Sequence, residues 1–249
     1  MPKSRFSKSE STRLAESIGI SISVVTGQFV RLLQYELFYG HQRRSEIRKT
    51  PKPHSLGDLK LVDDGRSGRD LTRQLFYNLS TSLARQDELA MVCKNIFLQT
   101  ANAAEQKNWY VQELLVATTL EAALRNIDNE PFCPKKGNSK KAWNVGASLT
   151  SFLSKYMPES DLKILKTKVM SAHALLRDRN AHPDWLFSQG GSLSEGELEK
   201  SMDSMIFLCY FYGYMILAIS GCDNVELRFP NPISQWRPFL TILPAGHID

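Results

Sequence analysis

Within six residues, Arg177-Asp178-Arg179-Asn180-Ala181-His182 gathers the side-chain types that metal-free phosphate chemistry requires. Histidine has an unperturbed pKa near neutrality and so serves as general base or acid. Arginine presents a rigid fork of donors that matches a phosphate and its pentacovalent transition state. A short polar neighbour orients either one. Such a set is sufficient for an RNA 2′-hydroxyl to attack the adjoining phosphate. The same types also end helices, because Arg, Asn and His satisfy the last carbonyls and Pro183 stops the run. Both readings stand on these residues alone.

Spacing sharpens the first of them. Each helical residue advances by about 100°, so Arg177 and His182 would diverge by roughly 140° in an unbroken helix. Asp178 and His182 are four apart and share a face. Pro183 disfavours helical geometry at His182, so a break there is expected to swing the histidine back toward Arg177. Asp178 carries a charge that can pair with Arg177.

The elements that must position these residues are helical. Leu89, Val92, Cys93 and Ile96 repeat with the period of one buried helix face. Val111, Leu114, Leu115, Thr118 and Ala122 do the same in a second helix, and Val145, Leu149, Phe152, Leu153 and Tyr156 in a third. Leu162, Leu165, Val169, Ala172 and Leu176 line a fourth, which has Ser160 or Asp161 as N-cap and runs into the Arg177 segment. Ser194 to Glu197 has the spacing of a capping box for a last helix, and Gly221 is placed to close it. The expectation is an all-α, up-and-down bundle of four to five helices over 81–222. A helical, basic region is expected over 1–80, and an irregular tail with four prolines over 223–249.

The motif and its setting resemble the HEPN superfamily. Those proteins are helical bundles whose ribonuclease motif is arginine, a polar residue, a short spacer and histidine. Arg177, Asp178 and His182 match it in order, with aspartate where asparagine is more usual. The run Glu113 to Arg125 and the run Leu176 to Trp185 are similar to the ApeA-type branch. The resemblance covers about 110 to 220. It implies an endoribonuclease with Arg177, His182 and Asp178 as catalytic residues, acting as a toxin or in antiviral defence. It also implies a homodimer that pools two motifs into one composite cleft, and leaves room for a regulatory or defence-system partner. Arg179, Asn180 and His173 would support the site or face the RNA, as would Lys135, Lys136, Lys140 and Lys141 in the loop after the second helix. His173, four residues before Arg177 at the edge of the apolar face, reads more simply as a packed or hydrogen-bonded histidine. Asp184 stands where one HEPN subgroup carries a tyrosine, so control by adenylylation is not implied. A non-catalytic HEPN module serving dimerisation is the alternative.

Composition agrees with a soluble globular protein: 42% hydrophobic and 23% charged residues exclude a disordered chain, and a net charge of +5 suits a polyanionic partner. The cysteines at 93, 133, 209 and 222 lack metal-ligand spacing, so no metal or cofactor is expected and reduced thiols are. The basic start has no apolar run after it, so neither a signal peptide nor a location outside the cytoplasm is expected. Met205 to Ser220 is apolar but short for a bilayer span, and reads as a core helix. A third functional reading comes from 14–29, where Ala15, Gly19, Val25 and Phe29 fall at the key positions of a DNA-binding helix-turn-helix, with Gly19 at the turn.

Overall fold

A computed structural model describes residues 8–26, 34–39, 42–47, 66–128, 143–156, 159–181, 194–222, 225–226 and 243–244. Side chains are described over 9–26, 70–128, 143–156, 162–178 and 194–222. The fold is all-α. Seven helices appear among the described residues: α1 (Lys8–Thr26), α2 (Arg66–Arg85), α3 (Glu88–Glu105), α4 (Trp109–Ile127), α5 (Val145–Tyr156), α6 (Glu159–Ala181) and α7 (Glu195–Ile219). Two short antiparallel ladders accompany them, β1 (Gln34–Tyr39) with β2 (Gln42–Ile47) and β3 (Val225–Glu226) with β4 (Leu243–Pro244). The chain divides into two compact units, 1–94 with 219–249, and 95–218.

In the first unit, α1 packs against α2. Leu71, Leu75, Leu79 and Leu83 recur every fourth residue along α2 and are all buried, which makes one continuous apolar ridge. The buried face of α1 is small and polar instead, with Ser11, Ser17, Ser21 and Ser23 beside Ala15 and Val24. Three of those hydroxyls are satisfied inside the helix: Ser17 donates to the Arg13 carbonyl, Ser21 to Ser17 and Ser23 to Gly19, each at 2.8 Å. Here the helix-turn-helix expectation fails. Gly19 is not at a turn but buried inside one unbroken helix, its carbonyl accepting from Ser23. Burial against α2 stabilises helix where the glycine alone suggested a break. Val25 also lies in α1, and Phe29 lies outside the described residues.

A tight reversal joins α2 to α3. The Asp87 N–H donates to the Ser82 carbonyl and the Gln86 N–H to that of Leu83, both at 3.0 Å, the paired bonds of a Schellman ending. Gln86 therefore sits in the left-handed region at φ 61°, a conformation that usually selects glycine. The expected helix stop at Gly221 does use glycine, with φ 66°. Asn78 and Gln74 of α2 donate to the Ser220 and Gly221 carbonyls at 2.8 and 3.2 Å.

The second unit holds α4, α5 and α6, which pack against one another, and most of α7. Asn108 caps α4, its side-chain oxygen accepting from the Tyr110 and Val111 N–H groups. Ser194 and Glu197 form half of the expected capping box: the Glu197 carboxylate accepts from the Ser194 N–H at 3.0 Å and from its hydroxyl at 2.6 Å. Leu149, Phe152 and Leu153 of α5 and Leu165, Val169, Ala172 and Leu176 of α6 are buried as their periodicity indicated. In α7, Tyr210 through Leu217 are buried without interruption. This helix is long and apolar enough to cross a membrane by length and composition alone, and 56% of its most apolar window is buried inside the protein. Its aromatic rings interlock with α5, Phe152 standing edge-on to Phe211 at 6.3 Å and to Tyr214 at 6.4 Å.

The face expected to be buried on α4 is the wrong one. Val111 and Leu114 are exposed, as are Thr118 and Ala122, while Glu113, Val116, Ala117, Leu120, Ala123 and Leu124 are buried. The buried face includes Glu113. A carboxylate reads as a solvent-facing residue, yet this one is wholly buried because Trp109 Nε1 donates to it at 2.7 Å and the Ser201 hydroxyl donates to the same oxygen. Leu89 on α3 is likewise exposed, whereas Val92, Cys93 and Ile96 are buried.

Candidate functional site at the end of helix α6

The helix that carries the motif runs from Glu159 through Ala181, one or two residues earlier at its start than the expected caps. Arg177 and Asp178 lie in its last two turns, both exposed, while Leu176 between them and the core is fully buried. Arg179 and Asn180 are described in backbone only, within the helix. His182, Lys135, Lys136, Lys140 and Lys141 lie outside the described residues.

Arg177 does not pair with Asp178. Its Nε forms an ion pair with Glu121 Oε1 across from it on α4, at 3.1 Å. The same carboxylate oxygen is met by His173 Nε2, also at 3.1 Å. His173 and Arg177 are one helical turn apart on α6, so their side chains reach one acceptor on the facing helix. The three differ in solvent access: the side chains of His173, Glu121 and Arg177 are 3%, 21% and 55% exposed. The terminal guanidinium nitrogens of Arg177 have no hydrogen-bond partner among the described residues.

Burial determines the protonation of His173. Desolvation pushes its pKa below the ordinary 6.5 and outweighs the Glu121 carboxylate, whose charge and hydrogen bond act upward; Arg177 adds to the lowering and Asp178 opposes it. The imidazole is therefore neutral at neutral pH, with the proton on Nε2 where it can donate to Glu121. A histidine this deep is not a surface group that meets RNA. His173 is instead a packed, hydrogen-bonded histidine, because Leu176, Val169 and Ala172 carry its side of α6 into the core.

Glu121 is the site residue that sequence reasoning missed. It lies inside the run Glu113 to Arg125, but nothing in spacing distinguishes it from any other carboxylate on a helix. A signal existed only in combination with the fold: a glutamate on one helix of a packed pair, with two partners four residues apart on the other. Asp178, in contrast, keeps its exposed position and acts on His173 only through its charge.

Other chemistry is less well served. Burial pushes the Cys93 and Cys209 thiols up to about 12, which removes them as nucleophiles at neutral pH. Among the described residues no three His, Cys, Asp or Glu side chains gather as a metal would require. A cavity of about 580 Å³ lies in the first unit, lined by Asn78, Ser82, Asp87, Glu88, Cys93 and Ser220 among others, and it includes none of the sequence-predicted site residues. Compared with protein-family models, curated proteins and solved structures, the chain matches none.

Proposed function

We propose that this protein is a HEPN-type endoribonuclease that cleaves RNA without a metal. The observation that carries the reading is Arg177: an arginine in the last turns of α6, anchored through Nε and more than half exposed, with its terminal nitrogens unpartnered among the described residues. That is the disposition of a phosphate-binding arginine, since the bidentate fork is kept for the ligand while the stem is held by the protein. In the proposed reaction His182 takes the proton of a ribose 2′-hydroxyl. The 2′-oxygen then bonds to the adjacent phosphorus, and the bond to the 5′-oxygen breaks. The products are a 2′,3′-cyclic phosphate and a 5′-hydroxyl, the latter receiving its proton from water or from the histidine of a second protomer. Arg177 binds the equatorial oxygens, where charge accumulates in the transition state. Asp178, Arg179, Asn180 and the lysines at 135, 136, 140 and 141 are supporting residues of this reading. So are a homodimer with a shared cleft, a defence or toxin role in the cytoplasm, and a partner that restrains it.

One observation favours a second reading. Glu121 neutralises part of the Arg177 charge, as would suit a HEPN module that only dimerises. The two part on a direct measurement. Purified full-length protein incubated with single-stranded RNA and a chelator should yield fragments ending in cyclic phosphate, and His182→Ala should abolish them. RNA left intact, or cut equally by the His182→Ala protein, would sink the ribonuclease reading.

A further inference from the structure

One carboxylate oxygen meets two partners of very different exposure, a hydrogen-bonded imidazole and an ion-paired guanidinium, and this makes Glu121 more than a counter-ion. His173 Nε2 reaches Glu121 Oε1 from the buried side, at 3.1 Å, and Arg177 Nε reaches it from the solvent side at the same distance. The imidazole is held in a core of Val169, Ala172 and Leu176, so it has little freedom to swing and fixes the position of the carboxylate. That carboxylate in turn fixes the guanidinium. An exposed arginine on a flexible stem samples many rotamers, whereas one tied at Nε presents its two terminal nitrogens from a defined place.

We infer that Glu121 is a positioning residue: backed by His173, it holds Arg177 so that its terminal nitrogens meet a substrate phosphate. The inference rests on the ribonuclease reading of Arg177 for the identity of that phosphate, and on the geometry for the rest. It runs against simple electrostatics, and that makes it testable. A carboxylate beside a phosphate site repels the ligand, so if Glu121 contributed only its charge, removing it would tighten binding. If it positions Arg177, removing it weakens binding in spite of the lost repulsion. Aspartate at the position separates the two effects, because it keeps the charge but draws the carboxylate back from His173 and Arg177 by one methylene.

The experiment measures binding of the full chain to a 2′-O-methyl oligonucleotide, which carries phosphates but lacks the attacking hydroxyl, by fluorescence anisotropy across a salt series. Arg177→Ala should weaken binding and lower the salt slope by about one. Glu121→Ala should weaken it by roughly tenfold, and the double variant should be no worse than Arg177→Ala alone, as for two residues acting through one contact. Glu121→Asp should also weaken binding, whereas a residue that contributed charge alone would leave binding unchanged in that variant. Binding that tightens or stays unchanged in Glu121→Ala, while Arg177→Ala weakens it, overturns the positioning role and leaves the ribonuclease reading intact. The reverse outcome is also distinct: the expected binding pattern with no RNA cleaved keeps the positioning role and discards the ribonuclease. Equal binding by Arg177→Ala and the unaltered protein discards the positioning role. Thermal midpoints of all four variants check that the bundle is intact, and Glu121→Asp supplies the decisive comparison if Glu121→Ala unfolds: unchanged binding there overturns the positioning role.

Discussion

Replacing Ser201 by alanine removes a fully buried hydroxyl that donates to the equally buried Glu113 carboxylate. Replacing Ser148 by alanine removes another hydroxyl, also 0% exposed, that has no hydrogen-bond partner among the described residues. The chemical change is the same, and the expected results have opposite signs. A hydrogen bond to a charged group contributes about 1.5–3 kcal/mol, and in a site without solvent no water replaces the lost donor. Ser201→Ala should therefore cost about 2 kcal/mol, with Trp109 Nε1, at 2.7 Å, still pairing with the carboxylate. Leaving a hydroxyl unpaired in the interior costs on the order of 1–3 kcal/mol, partly offset by its packing. Ser148→Ala should consequently be neutral to about 1 kcal/mol more stable. Urea unfolding followed by circular dichroism gives both numbers, the slope against denaturant reporting whether the same surface is exposed in each variant. The two proteins should differ by roughly 2–3 kcal/mol. Equal destabilisation by both substitutions would refute the reasoning, since it would mean that the Ser148 hydroxyl is satisfied or that the one on Ser201 contributes nothing to Glu113.

Two further outcomes follow from the backbone and from burial. Gln86→Gly should stabilise the protein by about 0.5–1 kcal/mol, because it relieves a left-handed side-chain conformation at φ 61° and keeps both Schellman bonds; a lower urea midpoint would contradict it. His173, whose folded pKa lies below its ordinary 6.5, binds a proton less readily in the folded state than in the unfolded one. Its contribution to stability is therefore fully present above pH 6.5 and is lost as pH falls from there through the depressed folded value. The decline is at most one proton's worth, about 1.4 kcal/mol per pH unit, and should be shallower in His173→Gln; parallel pH profiles for the two proteins would show that His173 does not set it.

The helical class and the placement of five helices between residues 88 and 219 were legible from residue order, because apolar period and capping residues act locally. Asn108, Ser194 and Gly221 end or begin helices for reasons contained within a few residues of each. Burial of particular charged side chains was not legible, because it depends on partners distant in the chain. Glu113 is tolerated inside because Trp109 and, 88 positions later, Ser201 supply donors to it, on a face of α4 that also carries buried Val116, Leu120 and Leu124. Gly19 stays helical because α2 covers α1, which no local propensity encodes. At the candidate site, sequence alone singled out Arg177 and raised Asp178 as its partner through adjacency. Tertiary structure gave Arg177 a different carboxylate, Glu121, and gave that carboxylate His173 as a second partner. The physical reason is common to all of these: a side chain's neighbours along a helix are set by spacing, but its neighbours across a helix interface are set by packing.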